Sequence, residues 1–252
     1  MVKLVTFTDD NMTISATKCA QSATKNGADG YSIWTPRDLS SEFRETMAEV
    51  LKHAFGAGYY CWKPYIVHRE MCRLNDGDIL VYCDAGNEWI SDMRHAIAAM
   101  DQDIMFFSNG WRHLEWTKRD CWQAILADHF EHPTLRPGQF GSIIPREIAE
   151  APQVQASTFF IHVTPATRAF IQEWYGCSLI PGMIDNEPSK LPNVPTFREH
   201  RWDQSILCCL QIKYGYSLHW FPTTTAGHLR ALHPQDKYPI LLNHHRRRNH
   251  EW

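Results

Sequence analysis

No apolar run in the 252 residues approaches the ~20 that a membrane-spanning helix needs. The opening MVKLVTFTDD enters a strand-like pattern at once, without the architecture of a secretory leader. A cytoplasmic protein, touching membranes at most peripherally, is the expectation. No Cys-x-x-Cys pair occurs among the eight cysteines, and several sit inside apolar segments. That speaks against a zinc site or a disulfide framework and for free buried thiols in a reducing compartment. Positive charge is not in excess either. The chain has 25 Lys and Arg against 28 Asp and Glu, a formal net charge of −3, which argues against a general nucleic-acid binder. Repeats are absent, and no linker divides the chain. What it has in quantity is aromatic residues, with ten tryptophans and 12% Phe, Trp and Tyr. Most must serve the core; any left exposed offer flat faces on which sugar rings stack.

The first half alternates strand and helix patterns. LVTFT (4–8) reads as a strand, Thr13 to Lys25 as a helix closed by Asn26-Gly27, and Tyr31 to Trp34 as a second strand. Ser40 to His53 reads as a Ser-capped helix, Ile66 to Leu74 as a shorter one, and Ile79 to Cys83 as a buried strand. A helix over 89–100 and a strand over 104–108 follow. Beyond Trp116 the pattern predicts a helix near 117–128, a strand at Ser157–Val163, and helices at 165–175 and 202–213. The Pro-rich stretch Ile180 to Pro195 reads as a long ordered loop or flap. Strands separated by helices imply βαβ units and a mixed, mostly parallel sheet flanked by helices.

Three segments carry candidate chemistry. In GDILVYCDAG (77–86), Asp84 stands at the end of an apolar strand. In open α/β sheets that is where ligands bind, and a carboxylate there can ligate a divalent cation that holds a diphosphate. Ala85 and Gly86 keep the neighbouring space open; the plain alternative is a turn or a helix cap. In FGAGYYCWKPYIV (55–67), Gly56 and Gly58 allow positive φ, and Lys63 offers a point charge to phosphate. The alternative is a glycine-rich turn among core aromatics. In FREHRWDQSILCCLQIKYG (197–215), Asp203 and Gln204 begin a helix, where Asp also serves as an ordinary cap.

Taken together, GAGYYCWKPYI, GDILVYCDAG, EWTKRDCW, QASTFFI, EHRWDQSIL and NHHRRRN resemble the motif series of a glycosyltransferase family with the GT-A fold. Its members occur in bacterial capsule and lipopolysaccharide clusters and in large viruses. The resemblance spans residues 3 to 249. It implies one domain, with residues 1–110 holding a nucleotide-sugar donor, UDP-linked above others, and residues 111–252 receiving a glycan acceptor. Mn²⁺ or Mg²⁺ would bridge protein and diphosphate. Asp84 matches the first acid of the DxD-type metal motif, but Gly86 stands where the second acid is usual. A histidine near the C-terminus is expected to complete the shell, which makes His244 and His245 candidates. Thr8 and Asp9, in the turn after the first strand, are expected to contact base or ribose; helix capping by Asp10 or Asn11 is the alternative. Arg246 is expected to face the diphosphate, unless HHRRRNHEW is simply a solvated basic tail.

Sugar transfer must neutralise the departing diphosphate and, for inversion, deprotonate the acceptor hydroxyl. Asp203 is the candidate base, and inversion is preferred. An Asp-Gln pair that orients the donor sugar, as in some retaining enzymes, is the other role open to Asp203 and Gln204. His200, Asp120, Glu199 and Lys118 are expected to contact sugar hydroxyls. Two other readings compete. A nucleotidyltransferase normally carries a glycine-rich basic loop after its first strand, where this chain has TFTDDNM. A carbohydrate-binding module is usually all-β, against the alternation found here.

Overall fold

A continuous apolar run such as Ile79–Cys83 lets a strand bury both faces between helices, and that pattern sets the architecture. The computed structural model describes residues 1–127, 146–225 and 237–252. The elements run Val2–Phe7 (β1), Thr13–Lys25 (α1), Gly30–Trp34 (β2), Ser41–Thr46 (α2), Ala48–Leu51 (α3), Gly56–Tyr59 (α4) and Trp62–Met71 (α5). Then come Ile79–Cys83 (β3), Asn87–Trp89 (β4), Arg94–Ala98 (α6), Ile104–Arg112 (β5), Arg119–Leu126 (α7) and Arg146–Ala149 (α8). Pro152–Val154 (β6), Thr158–His162 (β7), Pro165–Ser178 (α9), Trp202–Tyr214 (α10), Leu218–Trp220 (β8) and Leu242–His244 (β9) complete the described elements.

The main sheet has the order β2-β1-β3-β7-β5-β6, with β8 also paired to β5. β2 and β3 flank β1 in parallel, β7 runs antiparallel to β3 and β5, and β5 pairs parallel with β8 and antiparallel with β6. Five of the seven strands thus share one direction, and β6 and β7 reverse it. This is the mixed, mostly parallel sheet that the alternation predicts. Leu80 and Tyr82 of β3 pack with Phe7, Phe106 and Phe159 beneath α5, α7, α9 and α10. Ile79, Val81 and Cys83 pack on the other face with Leu4, Phe107 and Phe160, toward α1 and α6. Each such fully buried side chain contributes roughly 1.5–3 kcal/mol. All eight cysteines are free, and among the described residues no helix is long and apolar enough to cross a membrane.

Several boundaries differ from those read in the sequence, each for a local reason. The Ser40–His53 helix is broken at Met47 into α2 and α3. α5 begins four residues before Ile66, because Pro64 lies in its first turn, where no intrahelical N–H bond is needed. The helix expected over 89–100 shortens to α6, since Asn87–Trp89 pairs instead with β9 in a two-stranded ribbon. β5 continues four residues past Ser108. The final strand is Leu242–His244, beyond the last element read in the sequence. The helix near 117–128 is found as α7, with residue 128 outside the described residues.

Candidate active site

A cleft of about 760 Å³ opens at the carboxyl ends of β1 and β3. Phe7, Thr8 and Asp9 leave β1 into it, Asp84, Ala85 and Gly86 leave β3, and Lys63, Asp203, Gln204, His244 and Arg246 reach it from elsewhere. Thr8, Asp9, Lys63, Asp84, Asp203, Gln204, His244 and Arg246, all expected above to contact donor, metal or acceptor and drawn from stretches nearly 240 residues apart, therefore line one cavity.

Its floor is a buried charge cluster. Lys63 Nζ lies 2.9 Å from Asp203 Oδ2 and 3.4 Å from Asp84 Oδ1, and donates to the Ala156 carbonyl at 3.2 Å. The Lys63 and Asp203 side chains are 4% and 3% exposed, whereas that of Asp84 is 35% exposed. The Lys63–Asp203 contact is an ion pair rather than a well-directed hydrogen bond. Tyr82 donates its hydroxyl to Asp84 Oδ1, and Lys63 also stands over the Tyr60 and Tyr82 rings at 5.2 and 5.1 Å. Burial alone would lower the pKa of Lys63, but the Asp203 and Asp84 carboxylates overcome it and hold the ammonium protonated. Burial pushes Asp203 up to about 6, against the opposing pull of Lys63. The result is an ionised carboxylate at neutral pH with an unusually strong appetite for a proton.

The GAGYY segment explains how Lys63 arrives there. Gly56, Ala57, Gly58, Tyr59 and Tyr60 have φ of 59°, 49°, 94°, 54° and 61°, so α4 is a left-handed turn. Left-handed backbone costs roughly 1–2 kcal/mol at each non-glycine residue. The cost is offset by specific bonds: Tyr59 stacks on Trp202 at 5.6 Å, and Trp62 Nε1 donates to the Gly56 carbonyl at 2.9 Å. Gly58 tolerates no side chain, since a Cβ there would meet Leu51 Cα at 3.0 Å and Val50 O at 3.3 Å. The reversal of hand delivers the chain to the first turn of α5, and Lys63 to the cleft. Trp202, also at positive φ (46°), closes the other side and sets Asp203 beneath it.

Gly86 has a steric explanation. A Cβ there would lie 3.0 Å from Arg246 Cα, because the C-terminal segment crosses directly over it. His245 N and Arg246 N both donate to the Gly86 carbonyl at 3.0 Å. The position of the usual second acid is thus taken by the backbone that brings Arg246 into the cleft. Gly86→Asp is expected to displace β9 from β4 and lower Tm, without creating Mn²⁺ binding. A variant that folds normally and binds Mn²⁺ would contradict this.

The donor set for a metal is correspondingly thin. Among the described residues, no group of three or more His, Cys, Asp and Glu side chains comes together. Asp84 Oδ1 is engaged by Tyr82 and Lys63, while Oδ2 has no hydrogen bond among the described residues. Burial, with Arg246 nearby, pushes His244 down to about 4, so its ring is neutral as a ligand must be, but its Nε2 already accepts from Arg246 Nε at 2.7 Å. One free carboxylate oxygen does not fit a resident ion, which takes six or more oxygen ligands. It does fit an ion that brings its other ligands on a bound diphosphate.

Five expected site residues lie elsewhere, Glu199 among them, paired with Arg201 at 2.6 Å. His245 is outside the cleft lining; its Nδ1 accepts from Arg247 N at 3.0 Å and its ring meets Trp252 edge-on. His200 is buried, with Nδ1 accepting from Lys118 N at 3.3 Å and Nε2 donating to Met183 O at 2.8 Å. Burial pushes it down to about 3, so it is a neutral strut rather than a sugar contact. Asp120 spends its carboxylate on Ser189 Oγ, Lys190 N and Leu191 N, and Lys118 binds Asp185 and the Glu187 carbonyl. Both fasten the 180–195 segment to the start of α7. Gln204 lines the cleft, but its amide bridges Ala156 N and Gln153 Oε1. Asp9 both lines the cleft and caps its own turn, accepting from Asn11 N at 2.9 Å. Phe55, Trp111, Arg201 and Trp202 also line the cleft and were not singled out. Arg201 and Trp202 stood in plain view beside Asp203; Trp111 was hidden by ending β5 at Ser108.

No protein-family model matches the chain, and neither does any curated protein. Among solved structures it is similar to mouse xyloside xylosyltransferase 1, at 8% identity and a TM-score of 0.45, with 97% of each chain covered. A glycosyltransferase involved in glycosylation of the major capsid of PBCV-1 gives 9% identity and a TM-score of 0.46, over 96% of this chain and 93% of that one. The galactosyltransferase LgtC, solved with donor and acceptor sugar analogues, gives 13% and 0.45, over 96% and 86%. All three are glycosyltransferases by name, as the motif resemblance anticipates. At these identities and TM-scores the likeness decides nothing about donor, acceptor or chemistry, which the cleft's own residues must carry.

Proposed function

We propose that the chain is a glycosyltransferase, moving a sugar from a nucleotide-diphosphate donor, a UDP-sugar above others, to a glycan hydroxyl with inversion. The observation that carries this reading is the buried Lys63 set between Asp84 and Asp203 at the strand ends of an open α/β sheet. In the reaction the bond from the anomeric carbon to the diphosphate oxygen breaks, and the acceptor oxygen bonds to that carbon. The acceptor proton passes to Asp203, whose pKa near 6 suits a base at neutral pH. Lys63 and Arg246 offset the charge gathering on the leaving diphosphate. Thr8 and Asp9 hold the nucleoside end of the donor in about the first 110 residues, and the rest of the chain receives the acceptor. A Mn²⁺ or Mg²⁺ ion entering with the donor would be held by Asp84 and would supply further neutralisation of the diphosphate. Free thiols fit a cytoplasmic setting.

A thermal-shift panel of nucleotides and nucleotide sugars tests this. UDP at a hundred times its dissociation constant should raise Tm by roughly 5–10 °C. Mn²⁺ should strengthen that shift yet give none without nucleotide, since the protein alone offers it too few ligands. Stabilisation by Mn²⁺ alone would contradict the metal assignment, and no shift with any nucleotide would contradict the donor assignment.

A further inference from the structure

Of the large hydrophobic side chains left exposed among the described residues, two line the cleft: Phe55 and Trp111. Trp111, 43% exposed, sits on the end of β5 that projects past Ser108. Its ring stacks on Trp116 at 4.3 Å and 23°. Arg201 Cζ lies 4.6 Å from the Trp116 centroid and 5.3 Å from that of Trp111. Those three distances form a nearly equilateral triangle, so the guanidinium sits beside the stack and does not cap it. Among the described residues, no other ring or cation stacks on Trp111.

The stack is built rigidly. The Trp116 carbonyl accepts from Arg201 N at 3.1 Å and Ser205 Oγ at 2.6 Å. Trp111 N donates to Asn109 Oδ1, and Asn109 Nδ2 shares Gln153 Oε1 with Gln204. Both anchors lead to the first turn of α10, which carries Asp203. Charge around the platform is balanced, with Arg201 paired to Glu199 at 2.6 Å and Arg198 to Glu115 at 3.2 Å. In the sheet, β5 lies three strands from β1, on the far side of β3 and β7. At ~4.8 Å per strand the paired part of β5 lies about 14 Å from β1, with β3 and its Asp84 between them.

Resting on the transferase reading, we propose that Trp111 is the acceptor platform, stacking the apolar face of an uncharged pyranose ring beside Asp203. A flat, rigid, exposed indole binds the CH face of a sugar at low entropic cost. The guanidinium groups of Arg198 and Arg201 beside the stack are each matched by a carboxylate, so neither is left to select a uronic acid. The distance from the β1 end separates the platform from the nucleobase.

The test is direct binding of the full chain to an array of neutral and uronic-acid oligosaccharides, with UDP affinity measured alongside. Wild type should prefer neutral glycans. Trp111→Ala should weaken that binding by about tenfold, Trp111→Phe should retain most of it, and UDP affinity should stay within about twofold. Trp111→Phe keeps a ring face, so a folding defect in the Ala variant cannot imitate the pattern. Glycan binding that is absent, indifferent to Trp111→Ala, or stronger for uronic acids overturns the proposal. So does loss of UDP affinity in Trp111→Ala, which would make Trp111 a base platform. Trp111-dependent glycan binding in a protein that binds no nucleotide would leave the platform standing and remove the transferase reading.

Discussion

Asp203→Asn is expected to lower the transfer rate by about three orders of magnitude, the scale of a lost general base, and to cost less stability than the loss of Lys63, because Lys63 keeps Asp84 at 3.4 Å as a counter-charge. Asp203 is nearly inaccessible, and burial lifts its pKa to about 6 even though Lys63 lies 2.9 Å away. A raised pKa means that the folded state holds the proton more tightly than the unfolded state does. Ionising Asp203 therefore costs stability as pH rises from the unfolded carboxylate value toward 6, and above 6 that cost is fully present. Asparagine removes that pH-dependent cost, so the stability difference between variant and wild type should move in the variant's favour across that window and level off beyond it. The wild-type kcat/KM should rise about tenfold per pH unit below 6 and flatten above. Measured UDP affinity separates the roles: affinity retained in Asp203→Asn supports a base, and affinity for the nucleotide sugar lost supports a sugar-orienting carboxylate.

Lys63→Met should be the most damaging single change to the fold. It leaves Asp203 buried without a counter-charge and takes the cation from beside Asp84. Removing one partner of a buried pair costs about 3–5 kcal/mol, or roughly 10 °C in Tm for a chain of this size. Lys63 has a raised pKa, so its stabilisation is present throughout neutral pH and is lost only as pH climbs past the ordinary lysine range. The deficit of Lys63→Met should shrink on acidification, when Asp203 takes up a proton. Lys63→Met combined with Asp203→Asn should be more stable than Lys63→Met alone, a coupling that a double-mutant cycle measures directly. Additive losses would show that the pair is not what holds Lys63 in place.

The parts of the fold set by local periodicity were readable from residues alone. Thr13–Lys25 is helical to the residue, and Ile79–Cys83 is the buried strand its apolar run demands. Asp84 could be placed at a strand end for the same reason. What periodicity cannot carry is pairing over distance. The ion pair of Lys63 with Asp203 joins residues 140 positions apart, and neither segment names the other. Gly86 looked like a missing acid, and only the crossing of Arg246 over it shows why no side chain fits. Asp120 and His200 carry the right chemistry for sugar contacts, yet their hydrogen bonds are already spent on the 180–195 segment and its neighbours. Polar residue type shows what a side chain can bind; only the packing shows whether it is still free to do so. The left-handed turn at Gly56–Tyr60 was half legible, because two glycines announce positive φ but Ala57, Tyr59 and Tyr60 do not.

The most direct measurement is release of nucleoside diphosphate from a panel of nucleotide sugars, with and without glycan acceptor, by wild type and Asp203→Asn. The account predicts acceptor-dependent release from at least one donor, rising with pH through about 6, and a variant that still binds that donor but releases almost none. Release that Asp203→Asn sustains at the wild-type rate, or a wild type that turns over no nucleotide sugar, would contradict it.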